Sequence, residues 1–176
     1  MFRIMLIYGL IAGLVVISVV VIGFQLSGGE IAEGSQLVGY LTMLVAMSLI
    51  FVGVKRYRDQ ALGGVIKFWP AFGLGLGIAA VASVAYVIGW EVYTSLSGID
   101  FAGAYLESQH ETYMAEGLTG EALQEKLQPL QDMMALYEKW WFRLPITFTE
   151  IFPIGLLVAL VSALVLRNPK IMPARG

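Results

Sequence analysis

The chain has 176 residues, of which 58% are hydrophobic and only 14% charged, with a net charge of −2 and no cysteine. Soluble domains place about a quarter of their residues in charged types, so this composition marks a membrane protein. The small net charge leaves no electrostatic footprint for a nucleic-acid partner, and the lack of cysteine excludes disulfides, thiolate metal sites and cysteine nucleophiles.

The first apolar run supports a span over about 4–26, long enough at about 1.5 Å per residue to cross a hydrocarbon core of about 30 Å. It is longer than the roughly 7 to 15 apolar residues of a secretory signal. The sequence after it, "QLSGGE", also lacks a small-x-small cleavage site, so the span is expected to be retained. A second run covers about 36–54, a third about 68–90 and a fourth about 144–166. The fold class expected is all-α: one membrane domain over 1–176, built as a four-span helical bundle with a two-helix extracytoplasmic insertion between spans three and four.

Orientation follows from the cations. Arg3 precedes the first span, Lys55, Arg56, Arg58 and Lys67 lie between the second and third, and Arg167, Lys170 and Arg175 follow the fourth. "SGGEIAEGS" has no basic residue, and residues 91–143 carry nine acids against Lys126, Lys139 and Arg143. The positive-inside rule then places both termini in the cytoplasm and the insertion outside. Trp69, Trp90, Trp140 and Trp141 fall at the expected membrane borders, where aromatic residues anchor spans.

Within the insertion, Asp100 is suited to cap a helix over about 101–116 that stops at Gly117. Thr119 can cap a second helix, in which Leu123, Leu127, Leu130, Met134, Tyr137 and Trp141 recur at spacings of four and three and form an apolar stripe. Pro129 removes a hydrogen bond to the carbonyl of Glu125, so a kink or break is expected there.

The sharpest feature of span four is "TFTEIFPIG", in which Glu150 is the only ionisable group between Leu144 and Leu166. Pro153 frees the carbonyl of Thr149, and with the hydroxyls of Thr147 and Thr149 this makes an intramembrane polar focus around Glu150. Such a focus binds a proton, a cation or a basic head group, or else holds helices together through a hydrogen bond. "GLGLG" at 73–77 follows no strand and has no Lys-Ser or Lys-Thr after it, which argues against a phosphate loop. The pairs Gly9 and Gly13, and Gly73 and Gly77, each at i, i+4, are better read as close helix packing. Glu107, His110 and Glu111 share a helix face, but a metal site in a bundle needs a second such pair and the chain has one histidine. A solvated acidic face is the better reading. Lys55, Arg56 and Arg58 are placed to contact anionic lipid, and topology alone requires cations there too. Asp59 is placed to pair with Lys55 or Arg56 and shape a turn. The chain lacks a Ser-His-acid constellation, a His-Glu-x-x-His and any carboxylate cluster in the membrane, so neither an enzyme nor a cofactor is expected.

The segments "FVGVKRYRDQALGGVIKFWPAFGLGLGIAA", "VIGWEVY" and "LPITFTEIFPIGLLVALVSALVLR" resemble a bacterial integral-membrane family known as domain of unknown function forty-one ninety-nine. The resemblance implies four spans and a bacterial inner membrane, and it implies no activity. The expectation is therefore a structural or accessory subunit that acts through its outer insertion, with membrane lipids and a membrane-protein partner or a homo-oligomer as contacts. The alternatives are a small oligomeric proton- or cation-coupled transporter using Glu150, and a lipid-binding membrane protein.

Overall fold

The computed structural model describes residues 1–27 and 35–174. Most of the "SGGEIAEGS" segment, with Glu30 and Glu33, and Arg175 beyond the last span lie outside the described residues. The described chain is all-helical: α1 (Phe2–Leu26), α2 (Ser35–Met47), α3 (Leu49–Ala61), α4 (Phe68–Ser97), α5 (Phe101–Ala115), α6 (Gly120–Tyr137) and α7 (Trp140–Leu166). Four helical stretches are long and apolar enough to cross a membrane: Phe2–Leu26, Leu37–Ala61, Phe68–Ser97 and Trp140–Leu166. Each span overlaps an expected run; the first starts two residues before it, and the last three outgrow theirs at one end by four residues or more. The second continues seven residues past 54 into its cationic end, and the third continues past Trp90 to Ser97.

Helices α2 and α3 are one span with a local irregularity at Ser48. The Ser48 hydroxyl donates to the Val45 carbonyl at 2.6 Å, and its N–H is shared between the carbonyls of Leu44 and Val45. A serine that bonds back to the preceding turn competes with the regular ladder and disturbs it locally.

Helix α4 is the centre of the bundle and packs most extensively on α1 and α7, with the α2–α3 span against α1, α4 and α7. The core alternates large and small residues: Ile50, Leu74, Ile78, Ile151 and Leu166 are fully buried beside Ala12, Ala71, Ala79, Ala82, Ala159 and Ala163. Lipid tails are as apolar as leucine, so close backbone approach and dispersion hold such helices together. Gly9 and Gly13 supply that approach on α1. A Cβ on Gly13 would stand 2.5 Å from the Ala82 carbonyl oxygen, and one on Gly9 would stand 2.6 Å from Val81 Cβ. Gly77 is closed by Met5, whereas Gly73 faces open space and takes no part in packing. The working glycines of "GLGLG" are Gly75, against Ala159 and Ile50, and Gly77. Positions 73 and 75 lie about 200° apart around a helix, so only one of them can face α7.

The insertion is a helical hairpin. Gly98, at φ 64°, ends α4 in the left-handed region, and Asp100 caps α5 by accepting the Gly103 N–H at 2.9 Å. Helix α6 runs unbroken through Pro129. Pro129 and Glu125 are both exposed, so the carbonyl that the proline frees reaches water. On the expected stripe, Leu123, Leu127, Met134 and Tyr137 are buried and Leu130 is half-buried. Trp141 leaves the stripe. The chain is extended at Lys139, α7 begins at Trp140, and Trp141 is 54% exposed on the new helix.

Candidate functional site

Helices α4 and α7 run antiparallel, and three polar contacts step along the faces they turn towards each other and the insertion. The outermost joins Glu91 to Arg143, with Nε to Oε1 at 2.6 Å and Nη2 to Oε2 at 2.7 Å, a two-pronged guanidinium–carboxylate pair. Next, the Trp90 indole N–H donates to the Tyr137 hydroxyl at 2.8 Å. Deepest, the Tyr86 hydroxyl donates to Glu150 Oε2 at 3.1 Å. The outer and inner contacts are about 7.5 Å apart along α4 and about 10 Å apart along α7.

Trp90 joins the bundle to the hairpin. It is 4% exposed, so it is an interior residue and not a membrane-border anchor. Phe101 of α5 stands edge-on to it at 5.1 Å and also meets Phe24 of α1 and Tyr137 of α6. One aromatic cluster therefore draws on four helices. Burial pushes the Tyr137 phenol above its ordinary range, which keeps it a neutral hydroxyl that accepts from Trp90.

The polar residues expected around Glu150 do not converge. Thr147 is buried, with its hydroxyl against the Tyr137 phenol, although it completes no hydrogen bond of full geometry. Thr149 is exposed and donates back to the Ile146 carbonyl at 2.8 Å. Two helical positions apart means opposite faces, so both hydroxyls cannot serve one carboxylate. Pro153 is also exposed. Glu150 itself lies at the bundle surface and turns one oxygen inward to Tyr86. The partner that matters, Tyr86, was not singled out from sequence. Its signal is a hydroxyl four residues before Trp90, and thus on the same face, in a run whose other hydroxyl is that of Ser83.

At the other end of the bundle, the cations expected to meet lipid have divided roles. Lys55 pairs with Asp59 at 2.5 Å. Arg58 is fully buried: Nε meets Asp59 at 2.7 Å, Nη1 meets the carbonyls of Leu166 and Ile171 at 3.5 and 3.0 Å, and Nη2 meets the carbonyl of Met172. It closes the end of α7 and ties down the segment beyond it, so it is no lipid contact. A buried guanidinium requires this many acceptors. Arg56 alone of the three stays exposed. On α5, Glu107 and Glu111 are exposed and His110 is half-buried, and among the described residues no three such side chains gather to hold a metal.

The family described as "Protein of unknown function (DUF4199)" matches residues 7–168. The chain belongs to that family. Neither a curated protein nor a solved structure matches it. The matched range takes in the first span from residue 7 onward, the other three spans and the insertion of this DUF4199 member, including the contacts at Glu91, Trp90 and Tyr86 and their partners. The family description names no activity, so the chemistry must be read from the side chains.

Proposed function

We propose that this membrane protein is a non-catalytic structural or accessory subunit, seated in a bacterial inner membrane with both termini cytoplasmic and its α5–α6 hairpin outside. The observation that carries this reading is how the hairpin is held. Its root is fixed by the Trp90–Tyr137 hydrogen bond, the Glu91–Arg143 pair and the Phe101 cluster. Farther out, α5 has no fully buried residue, and Glu107, Glu111, Glu116, Glu121 and Glu125 are exposed. A connecting loop has no need of a fixed root. A module that presents a surface does, because a pre-ordered surface loses less entropy on binding. Partner capture in mild detergent tests the idea: a stoichiometric membrane-protein partner that is lost on reversing Glu107 and Glu111 to lysine supports it, and a lone homodimer overturns it.

Glu150 favours a second reading. Its bonded partner is a neutral phenol, and among the described residues no lysine or arginine pairs with it. An acid so placed in a span is a candidate coupling group for a proton or cation in an oligomeric transporter. Proton or cation flux in vesicles that disappears in Glu150→Gln would favour transport over the accessory role.

A further inference from the structure

Five residues from Arg3 along α1 stands Tyr8, which packs on α3 where that helix has no side chain: a Cβ on Gly53 would lie 3.2 Å from the Tyr8 ring. The close approach brings Tyr8 under Arg56, whose Nη1 donates to the Tyr8 hydroxyl at 3.3 Å while its Nε donates to Gln60 Oε1 at 3.0 Å. Between the two helices lies a groove of about 260 Å³ lined by Arg3, Ile4, Ile7, Tyr8, Arg56 and Gln60.

The polarity of this groove is one-sided. Tyr8 and Gln60 both spend an oxygen as acceptor to Arg56, which leaves the Tyr8 O–H and the Gln60 amide N–H groups free to donate. Arg3 and Arg56 add guanidinium donors, and among the described residues neither has an acidic partner. Among the described residues no carboxylate lines the groove. Asp59, the nearest acid in sequence, is taken by Lys55 and Arg58. Two guanidiniums, a hydroxyl and an amide, all presenting hydrogen, select an oxyanion with several acceptor oxygens, and arginine forks match phosphate in particular. The volume falls below the roughly 300 Å³ at which pockets for drug-sized ligands begin, so it suits a head group and not a whole metabolite. Ile4 and Ile7 supply an apolar wall on the side of the span.

We propose that this groove is a phosphate-binding site, set at the cationic end of the bundle and filled by the phosphate of an anionic lipid whose chains run down the Ile4 and Ile7 face. Native mass spectrometry of the full chain in mild detergent tests it, with phosphatidylglycerol titrated against phosphatidylcholine and, separately, against glycerol phosphate. Phosphatidylglycerol should bind in preference to phosphatidylcholine. At about a fivefold loss for each cation removed, Arg3→Gln and Arg56→Gln should each weaken binding about fivefold. Tyr8→Phe should weaken it less, and Lys55→Gln should leave it unchanged. Glycerol phosphate that binds as tightly as the lipid would assign the same site to a soluble phosphate ester. Equal binding of both lipids, or anionic lipid binding that survives Arg3→Gln with Arg56→Gln in a chain of unchanged melting temperature, would overturn the proposal.

Discussion

Tyr137 of the hairpin and Trp90 of the central span share a hydrogen bond of 2.8 Å inside the protein, and both side chains are less than a tenth exposed. The contact joins a helix that lies outside the spans to the helix on which the whole bundle packs. Removing the acceptor leaves a buried indole N–H without a partner, at a cost of about 1–3 kcal/mol. Tyr137→Phe should therefore lower the melting temperature in detergent and speed hydrogen exchange over residues 123–137. A melting temperature equal to that of the parent would show that the hairpin root does not depend on this bond.

The Glu91–Arg143 pair should act differently. It is only partly buried, at 24% and 21% side-chain exposure, so its loss should cost about 1 kcal/mol or less and should fade with added salt. Arg143→Ala should loosen the hairpin at low ionic strength, and the exchange Glu91→Arg with Arg143→Glu should recover part of the loss. Proteolysis rates of the hairpin measured at two salt concentrations decide it.

Gly13 and Gly73 make a matched test of packing. Gly13→Ala drives a methyl group towards the Ala82 carbonyl and should destabilise the bundle by about 1–3 kcal/mol. Gly73→Ala meets nothing and should be neutral, or stabilising by up to about 1 kcal/mol through helix propensity. Thermal unfolding of both variants checks the contrast.

These two glycines also show where sequence reasoning stops. The lengths of the spans, their number and the two outer helices could be read from runs, caps and spacing, because those signals are local. The choice between Gly73 and Gly75 could not, since it depends on which side of α4 faces α7. Trp90 illustrates the same limit. Its position near the end of an apolar run is what a border anchor would show, and only the return of α6 over it makes it interior. Arg58 reads as one more cation beside the membrane until the segment after α7 folds back and supplies its acceptors.

For Glu150, the hydrogen bond to Tyr86 gives an expectation of tolerance. Glu150→Gln retains a head group that can accept from Tyr86 and should change stability little, while Glu150→Leu and Tyr86→Phe should each cost about 1 kcal/mol. Melting curves of the three variants in detergent provide the measurement. A Gln variant as unstable as the Leu variant would mean that the carboxylate charge itself is needed.

Arg58→Met keeps most of the buried volume but leaves three carbonyls and Asp59 short of a donor. It should destabilise the cationic end by about 3 kcal/mol, and limited proteolysis should then reach residues 167–174 first. Protection equal to that of the parent would remove Arg58 from its role.

Arg58 binds carbonyls that lie 108, 113 and 114 residues further along the chain. Synthesis proceeds from the N-terminus, so the guanidinium emerges with Asp59 beside it but long before those carbonyls exist, and until then water must satisfy its Nη groups. Only the arrival of the last helix lets it withdraw. Sealing of this end of the bundle is thus coupled to the arrival of residues 166–172, and a nascent protein halted before them would hold Arg58 by Asp59 alone.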